Sequence, residues 1–139
     1  MTSRMYTNCA ITGNITTTNA TPSVICSFDL ANPLGNVATP INNTAIYVEG
    51  IVCAQISGSA YGSAKIAKSF KIVSGSVTSL FAQQSLVAGS GGLLLGDVGI
   101  TTALGTIDNN STLIRLNATG ILATTILWTG YLWIYTCEF

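Results

Sequence analysis

The chain has 139 residues, 48% apolar and only 7% charged, with five Lys and Arg balancing five Asp and Glu and no histidine at all. An ordinary soluble domain carries about 25% charge. A neutral chain lacks the basic field by which nucleic-acid binders displace counterions, and without imidazole the usual general base, the commonest metal ligand and any Ser-His-Asp or Cys-His site are excluded.

The length suits a single domain over 1–139. No helical period is present, and no capping box leads into an apolar run. What recurs is apolar alternation broken by Gly, Asn and Ser every ten residues or so, the pattern of an all-β sandwich or barrel. Tyr6 to Thr16 is a first strand and Ser23 to Leu30 a second. Asn32 to Asn36 and Thr39 to Asn43 are turns or loop. Thr44 to Ile56 is the longest strand. Its apolar face, Ile46, Val48, Gly50, Val52, Ala54 and Ile56, must be core, and Gly50 marks a bulge or a close neighbour. Tyr47, Glu49, Ile51, Cys53 and Gln55 line the opposite face. Ser57 to Gly62 is a turn.

Lys65 to Val73 is the next strand, with Ile66, Phe70 and Ile72 inward and Lys65, Ser69 and Lys71 outward. Lys68 falls on the apolar side by parity, which calls for a bulge or a place at the rim. Ser74 to Ser76 turns the chain into Val77 to Phe81. Gln83 to Val87 is a short strand, Gly89 to Gly92 a flexible loop, and Leu93 to Leu95 is buried or meets a neighbour. Thr106 to Asn110 is a turn. Thr112 to Ala118, Ile121 to Trp128 and Tyr131 to Cys137 close the chain, for about eight to ten strands in all.

The final segment obeys a period of two with both faces apolar. If Leu132 and Ile134 face the core, the rings of Tyr131, Trp133 and Tyr135 face out. Each ring covers roughly 150–250 Å² when buried, so something covers them: a second sheet of the chain, a neighbouring subunit or a sugar ligand. Near-zero net charge favours self-association as well.

Cys9, Cys26, Cys53 and Cys137 form no CxxC pair. Two disulfides among them have three possible connectivities, and each cysteine reads as a small buried hydrophobe. Asn8, Thr12 and Asn14 interrupt the stretch after Arg4, so no secretory signal peptide is expected. Leu116 to Cys137 is uncharged and long enough to span a bilayer, but its threonines, Gly120 and Gly130 divide it into strand-sized pieces. Membrane insertion is therefore not expected. No Walker loop, GxGxxG or GxSxG occurs. Asp29, Glu49, Asp97, Asp108 and Glu138 are scattered, so no carboxylate pair for glycoside hydrolysis is visible. Asp108 to Ser111 lacks the EF-hand spacing. No metal, cofactor or catalytic residue is expected, and the three lysines Lys65, Lys68 and Lys71 are too few for a nucleic-acid footprint.

Taken together, IYVEGIVCAQI, AKIAKSFKIV, GSVTSLF, GDVGITTAL and the closing TLIRLNATGILATTILWTGYLWIY resemble the C-terminal head domain of trimeric bacteriophage tail fibres and similar surface-fibre tips. The matching residues are Ile114, Leu116, Thr119, Gly120, Ile126, Trp128, Gly130 and Leu132. The resemblance covers 44–139 and leaves 1–43 without a match. It implies a homotrimeric, jelly-roll-like antiparallel β-sandwich on a virion or other extracellular surface, binding a cell-surface glycan or protein receptor without catalysis. Tyr61, Gln83, Gln84, Asp108, Asn109 and Asn110 are the candidate binding residues, since Tyr stacks on sugars and amides bond hydroxyls. Tyr131, Trp133 and Tyr135 are the candidate trimer contacts. A purely structural capsid or fibre module, and a protein anchored in a membrane through 116–137, are the alternatives.

Overall fold

The computed structural model describes residues 4–30 and 43–138. These form an antiparallel β-sandwich. Its strands are β1 (Arg4–Thr17), β2 (Ser23–Asp29), β3 (Thr44–Ile56), β4 (Ala60–Val73), β5 (Ser76–Ser79), β6 (Gln84–Val87), β7 (Leu95–Gly96), β8 (Leu104–Asn110), β9 (Leu113–Thr119) and β10 (Ile126–Glu138). The large sheet runs β1-β10-β3-β4, and β5, β6 and β7 follow one another along the outer edge of β4. The small sheet runs β2-β9-β8. The pairings β1 with β10 and β2 with β9 are nested, so the two halves of the chain wrap around each other. The β3–β4 hairpin stays within one sheet.

Alternation explains which face of each strand is buried. Ile46, Val48, Val52, Ile66, Phe70, Ile72, Leu132 and Ile134 fill the inner face of the large sheet, each 2% exposed or less. Ile25, Phe28, Ile107, Ile114 and Leu116 meet them from the small sheet. Gly50 answers to a close neighbour, with no bulge in its pairing to β4. A Cβ there would lie 2.9 Å from Leu116 Cδ1, and one on Gly130 would lie 2.9 Å from Leu116 Cδ2. The two glycines thus make a dent that seats one leucine from the facing sheet. Trp128 is 2% exposed and points inward. Its Nε1 donates to buried Thr17 Oγ1 at 2.8 Å, which satisfies both groups away from water.

Lys68 takes the rim position. β4 keeps its register with β3 throughout, so the side chain does fall on the inner face. It is half-buried with Nζ 5.6 Å from the centroid of the Phe70 ring. Ser74 and Gly75 both have positive φ, the conformation a tight hairpin turn needs.

Several expected turns are corrected. Thr106 to Asn110 belongs to β8, because Ile107 is anchored in the core and the Gln83 amide ties down the backbone beside it. The Ser57–Gly62 turn ends by Ser59, since Ala60 onward pairs with β3. Ile121 to Thr125 is turn rather than strand, with Ala123 at φ 56, and β10 begins at Ile126. Gly130 does not interrupt β10, because close packing against Ile25 and Leu116 is what that position requires. Ser90–Gly92 is a 3-10 turn. Of Leu93 to Leu95, only Leu94 is buried, and Leu95 is largely exposed. The expected loop over 32–36, and 39–42 of the second, lie outside the described residues.

A Cβ on Gly13 would collide with the Ile25 carbonyl oxygen, a backbone atom that cannot yield without parting β1 from β2. Gly13→Ala is expected to lower unfolding stability by about 1–3 kcal/mol in urea titration. Gly58→Asn, at φ 67 with open space around it, is expected to change it by less than about 0.5 kcal/mol.

Candidate functional site

The outward face of the large sheet is the most unusual surface among the described residues. Register sets its rows across β1, β10, β3 and β4. Thr16, Leu127, Gln55 and Tyr61 form one row, then Asn14, Thr129, Cys53 and Ser63, then Thr12, Tyr131, Ile51 and Lys65. The next rows hold Ala10, Trp133, Glu49 and Ala67, and then Tyr135, Tyr47 and Ser69. Four of the chain's five tyrosines and one of its two tryptophans therefore share this face.

The rings form a ladder. Tyr131 stacks on Trp133 at 5.6 Å between centroids, Trp133 meets Tyr135 at 5.8 Å, and Tyr135 meets Tyr47 at 5.9 Å. Tyr131, Trp133 and Tyr135 are each half-buried, and Tyr47 and Ile51 are exposed beside them. Burial, helped by donation of its hydroxyl to Glu49 Oε1 at 3.0 Å, pushes the Tyr47 pKa up. Glu49 also pairs with Lys65 at 3.8 Å, so this charge is neutralised locally. Trp133 Nε1 is buried and has no hydrogen-bond partner among the described residues. An N–H in that state costs about 1–3 kcal/mol.

At one end of the same face, Asn14, Thr16, Gln55, Tyr61, Leu127 and Thr129 surround a shallow depression of about 510 Å³. None of its lining residues is charged. Gln55 Nε2 donates to Tyr61 Oη at 3.2 Å, and Thr129 Oγ1 donates to Asn14 Oδ1 at 2.6 Å. Among the described residues these bonds leave the Gln55 carbonyl oxygen and the Asn14 amide nitrogen unused. Tyr61 is held from behind, its N–H donating to Asp97 Oδ2 at 3.0 Å while its carbonyl accepts from Asp97 N at 2.9 Å.

The depression lies far from Arg4 and Glu138. Thr17, Ile126, Ile56 and Ala60 are aligned at its end of the sheet, whereas Arg4, Glu138, Thr44 and Ile72 are aligned at the other. The 13 residues of β10 separate these rows by about 40 Å. The turns β1–β2, β3–β4 and β9–β10 gather at the depression end.

The six candidate binding residues are not brought together. Tyr61 is 57% exposed and lines the depression. Gln83 is half-buried and works as a clamp, its amide accepting from Ile107 N at 2.6 Å and donating to Gly105 O at 3.1 Å. Gln84 is exposed on β6 and donates to Ala82 O. Asp108 grips Arg115 through a two-pronged contact at 2.8 Å and 2.8 Å. Burial alone would raise its pKa, but Arg115, Asn117 and Lys68 together hold it below the usual range. Asn109 donates to Ser111 O, and Asn110 ends β8 at the pole of the molecule opposite Tyr61. Asn14, Gln55, Leu127 and Thr129 were not singled out by sequence. Strand parity places Gln55 outward, but only register sets it beside Tyr61.

Among the described residues no three His, Cys, Asp or Glu side chains cluster as a metal site. No helix there is long and apolar enough to cross a membrane. Cys26 is buried, as expected of a small hydrophobe, and burial raises its pKa to about 11. Cys53 is exposed and Cys137 half-buried, which corrects the expectation for those two: odd parity puts both on the outward face.

No family model matches the chain, and no curated protein does. Among solved structures it is similar to the tailspike protein of Acinetobacter baumannii phage AM24, with a TM-score of 0.40 and 13% identity over 90% of this chain. The chain spans 26% of that tailspike's length.

The exposures set an order of thiol reactivity. In the folded protein at pH 8, maleimide is expected to label Cys53 within minutes and to leave Cys26 unmodified until denaturant is added, as peptide mass mapping would report.

Proposed function

We propose that this protein is a fibre-tip module of a virion or other extracellular surface. It assembles as a homotrimer through the aromatic ladder and binds a cell-surface receptor at the end remote from Arg4 and Glu138. Its role is adhesion rather than catalysis.

The observation that carries this reading is the outward face of the large sheet. A run of Tyr47, Tyr131, Trp133 and Tyr135 in mutual contact is a costly surface to leave in water. Aromatic residues with little charge are what the centre of a subunit contact requires. Net charge is zero, so sister copies do not repel one another. The four acids whose side chains are described are all engaged: Asp29 by Thr112, Glu49 by Tyr47 and Lys65, Asp97 by Tyr61, and Asp108 by Arg115. None lines the depression. That distribution favours recognition over acid–base chemistry. The sequence resemblance over 44–139 to fibre heads supports the same reading.

Light scattering on the purified protein is expected to give the mass of three copies of the 14.4-kDa chain. Trp133→Ser is expected to lower that mass with unchanged far-UV circular dichroism, while Asn109→Ala leaves it as it was. A wild-type protein that stays monomeric up to millimolar concentration would refute the assembly.

A further inference from the structure

From the lining of the depression at the loop end, we infer a subsite for the uncharged sugar units of a receptor glycan, with Tyr61 and Leu127 as the platform and Gln55, Asn14 and Thr129 as the polar edge. This rests on the receptor-binding reading above and gives it a chemical class and an address.

The chemistry of the lining selects the ligand. A neutral pyranose has an apolar C–H face and a rim of hydroxyls that both donate and accept. The depression offers the complement. Tyr61 and Leu127 are 57% and 49% exposed, and each gives the floor an apolar surface. Gln55 keeps a carbonyl acceptor and Asn14 keeps amide donors, because their existing bonds are to each one's neighbour, Tyr61 Oη and Thr129 Oγ1. An amide pair of this kind answers adjacent hydroxyls, one as acceptor and one as donor. No charged residue lines the site, so neither a carboxylated sugar nor a peptide terminus would find a partner for its charge. The volume of about 510 Å³ lies within the range of small-molecule sites, roughly 300–1,000 Å³. Gln55 and Tyr61 face each other across β3 and β4, and Leu127 is the neighbour of Gln55 on β10. The platform therefore spans about 10 Å at ~4.8 Å per strand, enough for one or two sugar rings.

The site is built before ligand arrives. Gln55 restrains the Tyr61 hydroxyl, and the two backbone-mediated contacts with Asp97 fix the start of β4. Little ordering remains to be done on binding. A shallow, water-facing site of this kind binds one sugar weakly, and copies joined in one assembly reach useful strength by avidity.

The test uses the full chain against an array of neutral and sialylated oligosaccharides. Ligands found there are followed by saturation-transfer NMR and titrated by calorimetry. The expected result is binding of neutral glycans in the millimolar range, weakened tenfold or more by Tyr61→Ala and by Gln55→Ala and unaltered by Lys71→Ala, an exposed residue at the far end of the sheet. Trp133→Ser, which acts on assembly, is expected to leave the dissociation constant per site unchanged. Absence of any neutral glycan, a preference for sialylated ones, or full binding by Tyr61→Ala overturns the inference. Target-cell adhesion separates the two levels: cells held equally by wild type and Tyr61→Ala would leave receptor binding standing and remove the sugar subsite. Failure to hold cells at all would remove the receptor reading itself.

Discussion

The seating of Leu116 between Gly50 and Gly130 is the contact on which the rest of this structure depends. The leucine comes from the central strand of the small sheet, and the two glycines come from the two central strands of the large one. With side chains at those positions the sheets would stand further apart, and Ile107 and Ile25 would lose their packing as well. Close approach here leaves room for larger residues around it, so Phe70, Ile66, Leu132 and Ile134 are wholly enclosed. At this point a single methyl added to either glycine would press directly on the Leu116 side chain.

That contact also dictates the outer surface. Once Gly130, Leu132 and Ile134 face inward, a period of two leaves Tyr131, Trp133 and Tyr135 no choice but to face outward. The same parity turns Tyr47 and Ile51 outward on β3, next to them in register. An apolar core and an aromatic outer ladder are thus two consequences of one strand orientation. Few charges are present to break the ladder up, and those nearest, Glu49 and Lys65, neutralise each other. The face is aromatic and apolar along the ladder and becomes polar at the end where Asn14, Thr16, Gln55 and Thr129 replace the rings.

Much of the fold was legible from pattern alone. β3 has the bounds that alternation predicts, and the inward set of β3, the split of Leu132 and Ile134 from the three rings, and the fall of Lys68 on the inner side all follow from parity. The misreadings share a cause. Thr106 to Asn110 has the composition of a turn, but Ile107 in the core and the Gln83 clamp hold it extended. Gly130 looks like punctuation, yet it is there for the close approach of Leu116 rather than for a bend. Local propensity loses in both cases to contacts made by residues distant in sequence.

By itself, then, the amino-acid sequence determined that this is a neutral, all-β chain without imidazole chemistry, and which residues of each strand share a face. Those are properties of composition and of a two-residue period, which operate within a single strand. Only the tertiary structure decided which strands are neighbours. That decision put Tyr61 beside Gln55 and Leu127, sent Asn110 to the opposite pole, and turned Gln83 and Asp108 into structural ties. Sheet register is a relation between segments that, for β1 and β10, lie more than a hundred residues apart, and no local pattern encodes it.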